Sequence, residues 1–176
     1  MQLILFLDLL FLLFLCLLII SYTAILIMLA MPHKLPFVRS SDAKTEAIVR
    51  ILGDVSGRRI VDLGSGDGKI VIALAEAGAE AHGHEINFIL AWWSRFKIRR
   101  AGLRNRAFIH RTDFWKEDMG HYDDFTIFGI QSIMPQLEKK MIEEMRSGAR
   151  IVTQRYEFPH WKPHAAEDSI YLYVKE

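Results

Sequence analysis

Residues 60–78 read IVDLGSGDGKIVIALAEAG. A short apolar run ends in an acid, three glycines alternate with Ser65 and Asp67, and a second apolar run follows at helical spacing. Gly64, Gly66 and Gly68 carry no Cβ, so they can take φ > 0 and let another group touch the backbone. That predicts a close-approach turn between a buried strand and a helix, where open α/β sheets hold ligands beyond the carboxyl ends of their strands. Two phosphate loops are excluded by spacing. G-x-G-x-x-G counted from Gly64 needs a glycine where Lys69 stands, and G-x-x-x-x-G-K-[ST] is not met. What remains is acid-x-Gly-x-Gly-x-Gly. The acid selects the charge of the guest: Asp62 at the strand end suits a cationic group and would repel a phosphate.

On both sides of this turn the pattern alternates. Ser41 or Asp42 caps a helix through AKTEAIVRILG, which Gly53 ends. Arg59–Leu63 reads as a strand, Asp67–Ala77 as a helix, Glu80–Ile86 as a strand, and Phe88–Ala101 as a helix closed by Gly102. Arg106–Arg111 and Phe125–Ile130 follow as strands, then a helix over Pro135–Arg146 ended by Gly148, then strands over Ala149–Phe158 and Ile170–Val174. Strand and helix in turn predict an α/β, Rossmann-like parallel sheet with helices on both faces.

The N-terminus is of another kind. Residues 9–31, LLFLLFLCLLIISYTAILIMLAM, carry no charge. Roughly 20 apolar residues span a bilayer core of about 30 Å, so this stretch is predicted to be a transmembrane helix that contacts lipid. A secretory signal peptide would have a basic start and a shorter apolar core. His33, Lys34 and Arg39 follow the span and Asp8 precedes it, which places a single-pass anchor with the larger domain on the cytoplasmic or equivalent side. Pro32 and Pro36 stop the helix. The expected organisation is a transmembrane anchor over 1–31, a linker and lead-in helix over 32–53, and the α/β domain over 54–176. Past His33 the chain holds 22 basic against 20 acidic residues. That near-neutral balance disfavours a protein built to coat nucleic acid. Cys16, the only cysteine, lies in the apolar run, so no disulfide framework or cysteine metal site is expected. His82 and His84 share a strand face but lack a third ligand nearby in sequence, and no metal is expected.

Two more strand ends carry polar groups. Glu85, in HGHEIN, stands 17 residues after Gly68, where a carboxylate can accept hydrogen bonds from adjacent ribose hydroxyls. Asp113, in RTDFW, follows the third strand, with Phe114 and Trp115 beside it as a flat apolar surface. Together with DLGSGDG these resemble the S-adenosylmethionine site of class I methyltransferases. The resemblance implies Asp62 toward the positive charges of the cofactor's methionine part and Glu85 on its ribose. It implies Asp113 toward adenine, and Asp67 capping the helix or lining the pocket. The implied cofactor-binding set is Asp62, Gly64, Ser65, Gly66, Asp67, Gly68, Glu85, Asn87, Asp113, Phe114 and Phe128.

The blocks PFVRSS, DLGSGDGKIVIALAEAG, GHEIN, DFWKEDMGHYDDFTIFGI, LEKKMIEEMRSGARIV and RYEFPHWKP resemble the small membrane-anchored protein lysine methyltransferases. These include the enzymes acting on the ATP synthase C subunit and on the adenine nucleotide translocase. The likeness runs from about Pro36 to Pro163. It implies a seven-strand-type fold, S-adenosylmethionine, and a lysine of a membrane protein as acceptor. Lys69 departs from it, since the family usually carries Arg after the third glycine, and His84 is an unusual neighbour for the EIN block. A lysine with an ordinary pKa of about 10.4 must lose its proton before it can attack. Candidates to take that proton are Tyr156, Glu157 and His160. No N-P-P-Y type tetrad follows Phe128–Gly129, which disfavours amino-methylation of adenine or glutamine. Two other functions stay open: methylation of a lipophilic small molecule such as a quinone or lipid, and a non-catalytic membrane scaffold. Trp92 and Trp93 read as core or membrane-interface packing. The basic run SRFKIRRAGLRNR reads as a solvated helix end, with anionic headgroups as a second reading.

Overall fold

The computed structural model describes the backbone of residues 2–30 and 40–176, and the side chains of 6–26 and 40–176. The proline-marked exit, 32–39, lies outside the described residues. The chain divides into two compact units, Met1–Pro36 and Phe37–Glu176.

In the first unit, α1 (Gln2–Ala30) is one continuous helix. Its segment Phe6–Leu26 has a mean hydropathy of 2.8 and no buried residue, and is long and apolar enough to cross a membrane.

The second unit is built on a seven-stranded sheet in the order β3-β2-β1-β4-β5-β7-β6. Its strands are β1 (Arg59–Leu63), β2 (Glu80–His84), β3 (Ala107–His110), β4 (Asp124–Phe128), β5 (Arg150–Gln154), β6 (Ala165–Glu167) and β7 (Ile170–Val174). The first five pair in parallel, and β7 then runs antiparallel to β5 and to β6. The sheet is therefore mixed at one edge, not wholly parallel as the alternation predicted. The chain leaves β5 through a loop and turns back in a tight hairpin at Asp168 and Ser169, both in the left-handed region. No crossover helix intervenes, so the last pairs have to be antiparallel.

Both faces are covered, unequally. On one face lie α2 (Asp42–Leu52), α3 (Lys69–Glu76) and α4 (Phe88–Arg100). Ile48, Leu52, Val71, Leu74 and Ile98 pack there against Ile60, Ala81 and Val152. On the other face α5 (Met134–Glu144) brings Met134, Leu137 and Met141 onto Val61, Leu63, Phe125 and Ile151. Central strands buried on both faces must be apolar nearly throughout, which is why RIVDL and DFTIF do not alternate. Helix α2 packs inside this unit: Ala47, Ile48 and Leu52 are core residues. The second compact unit includes the lead-in helix. Between β3 and β4 the chain makes only two short 3-10 turns, Phe114–Lys116 and Met119–His121.

Candidate functional site

The glycine turn leaves the carboxyl end of β1. Gly64, Gly66 and Gly68 have φ of 80°, 54° and 75°, in the left-handed region that favours glycine. The neighbouring strand and α4 hold the turn. The Gly64 and Ser65 amides donate to the His84 carbonyl at 2.9 and 3.0 Å, and Ser94 Oγ donates to the Gly66 carbonyl at 2.8 Å. Ser65 lies against Gly83 of β2: a Cβ added to Gly83 would sit 2.5 Å from Ser65 Oγ. Ser65 Oγ is buried and has no hydrogen-bond partner among the described residues. A buried hydroxyl without a partner costs free energy, so such a group marks a place where a ligand can complete the bonding.

Asp62 is 3% exposed. Thr126 Oγ1, its register partner on β4, donates to Asp62 Oδ1 at 2.8 Å. No Lys or Arg among the described residues pairs with it. Burial pushes the carboxyl up to about 7, against the Thr126 hydrogen bond, and the nearby Glu85 and Asp67 charges add to the rise. A cationic guest would reverse that rise.

Glu85 follows β2 directly and is buried. Its Oε2 accepts from the Gly66 amide at 2.8 Å and its Oε1 from the Asn87 amide at 2.7 Å. Each carboxylate oxygen keeps acceptor capacity, and the two amides fix its orientation. Asn87 caps α4, accepting from the Ile89 and Leu90 amides at 2.9 and 3.2 Å. Asp113 caps the first 3-10 turn through the Trp115 amide, and the Phe114 and Trp115 rings lie 4.8 Å apart. Phe128 ends β4, opposite Gln154 of β5.

Of the two alternatives for Asp67, capping does not hold: the cap residue of α3 is Gly68, without a side-chain bond, and Asp67 is paired with Lys97 Nζ at 3.0 Å. Lys69 turns away from the glycine turn. Its Nζ donates to the Ser40 carbonyl at 2.6 Å and pairs with Asp42 at 2.7 Å, while Ser40 Oγ donates to Gln154 Oε1 at 2.9 Å. The entry to the domain is thereby clamped to the start of α3 and the end of β5.

Tyr156, Glu157 and His160 lie in the loop after β5, which begins at the same carboxyl edge of the sheet as the glycine turn. A residue that the sequence did not single out fixes this loop. Glu138 of α5 is 4% exposed, and its Oε1 accepts from the amides of His160, at 2.9 Å, and of Trp161. Its Oε2 lies 3.1 Å from His160 Nδ1, which leaves the rest of that ring in solvent. Phe158 and Trp161 stack on each other and lie tilted against Tyr173, whose hydroxyl accepts from the Phe158 amide at 3.0 Å. Tyr156 lies under the Arg155 guanidinium.

On the sheet face next to the 3-10 turns, His82 Nδ1 and His110 Nε2 are 3.0 Å apart, and His84 Nε2 is 3.1 Å from the Tyr122 hydroxyl. Burial holds all three imidazoles below their ordinary value, His84 at about 4, so they are neutral at pH 7. Among the described residues no group of three or more His, Cys, Asp or Glu is placed to hold a metal ion. An open groove of about 520 Å³ between α2 and α3, lined by Thr45, Val49, Ile72 and Glu76 among others, contains Lys69 but none of the cofactor-binding candidates.

Known proteins share this fold. A crystal structure of an RNA methyltransferase from Salinibacter ruber, in complex with S-adenosyl-L-homocysteine, superposes with a TM-score of 0.74 at 24% identity. The match covers 78% of this chain and 93% of that one. The rat lysine N-methyltransferase of the ATP synthase C subunit is 44% identical over 129 residues, 73% of this chain and 59% of the relative. The mouse adenine nucleotide translocase lysine N-methyltransferase is 35% identical over 133 residues, 75% of this chain and 58% of the relative. The chain thus spans somewhat more than half the length of these curated relatives. Residues 62–165, from the acid of the glycine turn to the start of β6, match the model of the ANTKMT methyltransferase domain, and the chain belongs to that family.

Proposed function

We propose that this chain is an S-adenosylmethionine-dependent protein-lysine N-methyltransferase, tethered to a membrane by α1 and acting on a lysine of a membrane protein. The observation that carries the reading is the pair of carboxylates flanking the glycine turn. Asp62 is buried and pairs with no Lys or Arg among the described residues, and Glu85 is held by two backbone amides. The first suits an ammonium or sulfonium group, the second a vicinal diol, and one molecule class carries both. The unpartnered Ser65 hydroxyl supplies a further donor in the same turn. The curated relatives, named for the ATP synthase C subunit and for the adenine nucleotide translocase, support lysine of a membrane protein as the acceptor.

S-adenosylmethionine, when bound, supplies an electrophilic methyl group on a sulfonium. The chain's own work is positioning and exclusion of water. Asp62 would hold a positive charge, and Glu85 would hold the ribose, its rotamer fixed by Gly66 and Asn87. Asp113, Phe114 and Phe128 would line the remainder. The loop after β5, stapled by Glu138, brings Tyr156, Glu157 and His160 to the edge where the acceptor amine enters. Of these, the His160 ring is oriented at Nδ1 by Glu138 and is otherwise exposed.

Transfer of labelled methyl from S-adenosylmethionine into membrane fractions tests this. Label in protein, recovered as methyl-lysine and lost with Glu85→Ala, is the expected result. Label in lipid extracts would replace lysine by a lipophilic acceptor, and no label beside intact cofactor binding would leave a scaffold.

A further inference from the structure

Helix α4 is built inside out. Its core-facing positions are small or aliphatic, Ala91, Ser94 and Ile98, all buried. Its largest side chains point away from the core: Phe88, Ile89, Trp92, Trp93 and Phe96 are each between 39% and 58% exposed. At 3.6 residues per turn these five fall on one face, and Arg99 and Arg100 continue the same stripe at its C-terminal end. The rings are ordered among themselves. Trp92 and Trp93 lie 6.2 and 5.3 Å from Phe96, centre to centre, and the Arg111 guanidinium sits 5.6 Å over the Phe88 ring. Ile86, exposed just before the helix, extends the patch toward Glu85.

Ordinary packing does not call for this. A surface helix puts its large apolar residues inward and its charges outward. A contiguous exposed apolar patch rimmed by charge marks an interaction site.

The rim is of one sign. Between Glu85 and Asp113 there is no acidic residue, and seven basic ones occur. Two of them are occupied: Arg95 donates to the Ile109 carbonyl at 2.8 Å, and Lys97 pairs with Asp67. Arg99, Arg100, Arg104, Arg106 and Arg111 stay exposed. Exposed Trp and Phe on one face of a helix with Arg beside them is the composition of a helix that lies in the plane of a membrane interface. The rings sit at the headgroup boundary, and the guanidinium groups meet anionic lipid.

We infer that the outer face of α4 is a second membrane contact, docking the α/β domain flat on an anionic lipid surface. The inference rests on the tether reading only for proximity. The span ends at Leu26 and the compact unit begins at Phe37, and ten residues reach no more than roughly 35 Å when fully extended. Charge complementarity to anionic headgroups selects lipid as the occupant over a second copy of the chain, whose own α4 would present the same positive rim.

The test uses the full chain in vesicles of phosphatidylcholine, with and without phosphatidylglycerol, whose acyl chains are brominated near the headgroup. Bromine quenches tryptophan on contact, and α1 contains no tryptophan, so emission reports on the domain alone. In a chain with Trp115→Phe and Trp161→Phe, only Trp92 and Trp93 remain. Quenching of at least half their emission in the anionic vesicles is expected. It should weaken with added salt and with R99E/R100E, since each basic group near the surface contributes roughly fivefold in partitioning. Should loss of Trp161 disturb the fold, the wild-type chain beside W92F/W93F gives the same answer, because the quenched component should vanish in the variant. Unquenched emission in anionic vesicles would overturn the proposal. So would a blue shift that grows with protein concentration in detergent and ignores lipid, which would assign the face to a second copy. An alkaline carbonate wash of the same vesicles reads the tether separately. A chain that is quenched but washes off keeps the α4 contact and loses the anchor, and one that is retained but unquenched does the reverse.

Discussion

Two buried aspartates stand on adjacent strands at opposite edges of the sheet, and the protein treats them differently. Asp124 opens β4 at the amino edge. Arg150 Nε and Nη2 donate to its two oxygens at 2.7 and 2.6 Å, and Arg58 donates to both at 2.5 and 3.0 Å. Burial alone would push its carboxyl up, but the hydrogen bonds from Arg150 and Arg58 outweigh this and hold it below its ordinary value. Asp62 stands one residue before the end of β1 at the carboxyl edge, with one neutral hydrogen bond and a carboxyl raised to about 7. One edge is neutralised within the chain and the other is left unmatched. The amino edge holds the fold together, and under the proposed function the unmatched carboxyl edge would receive a cationic guest.

Removing the matched charge should have the largest effect. Asp124→Ala strands two partly buried arginines, and should lower stability by about 4 kcal/mol, read as a loss of thermal midpoint in detergent. Removing the oriented carboxylate at the other edge should act on binding as well as on stability. Glu85→Ala should weaken S-adenosylmethionine by roughly a hundredfold, about 3 kcal/mol, and should also lower the thermal midpoint of the ligand-free chain, because the Gly66 and Asn87 amides lose their acceptor. The loop staple falls between the two kinds. Glu138→Ala leaves the His160 and Trp161 amides unsatisfied at a cost of about 2 kcal/mol, and Glu138→Gln should restore most of it, since one oxygen accepts both amides. The smallest effect has two signs. Asp62→Asn should raise the thermal midpoint at pH 8 by about 4 °C, because an uncompensated buried charge is removed, and should weaken the cofactor about tenfold. Equal signs for both effects would end the contrast, because Asp62 would then be another stabilising carboxylate.

The pH dependence follows from the same contrast. Folded Asp62 keeps its proton to about pH 7, whereas in the unfolded chain it ionises near the ordinary value of 3.8. The stability that this proton gives is complete below the lower value and is lost as pH rises toward 7. Asp124 runs the other way: its contribution is present above the ordinary carboxylate range and is lost in acid.

The glycine turn, Asp62 and Glu85 stand out in the sequence because their patterns are local: alternating glycines, and an acid near the carboxyl end of each of two strands. The pairing of Lys97 with Asp67 does not, since it joins residues 30 apart across a helix. Glu138 was hidden by its surroundings: in QLEKKMIEEM it looks like any solvated helical charge, and only burial under the loop distinguishes it. Strand β6, three residues of AAE with no apolar alternation, gave no signal, and so the mixed edge of the sheet was missed. The inversion of α4 was also illegible, because apolar residues on both of its faces do not say which one faces the core.

Calorimetric titration of the full chain with S-adenosylmethionine at pH 8 and at pH 6, with Glu85→Ala beside it, tests most directly whether the unmatched edge is a cofactor site. Binding at micromolar strength is expected at pH 8, weakening about tenfold at pH 6 as Asp62 takes up its proton, and lost in the variant. A folded chain that binds nothing, or that binds equally at both pH values and in the variant, would contradict it.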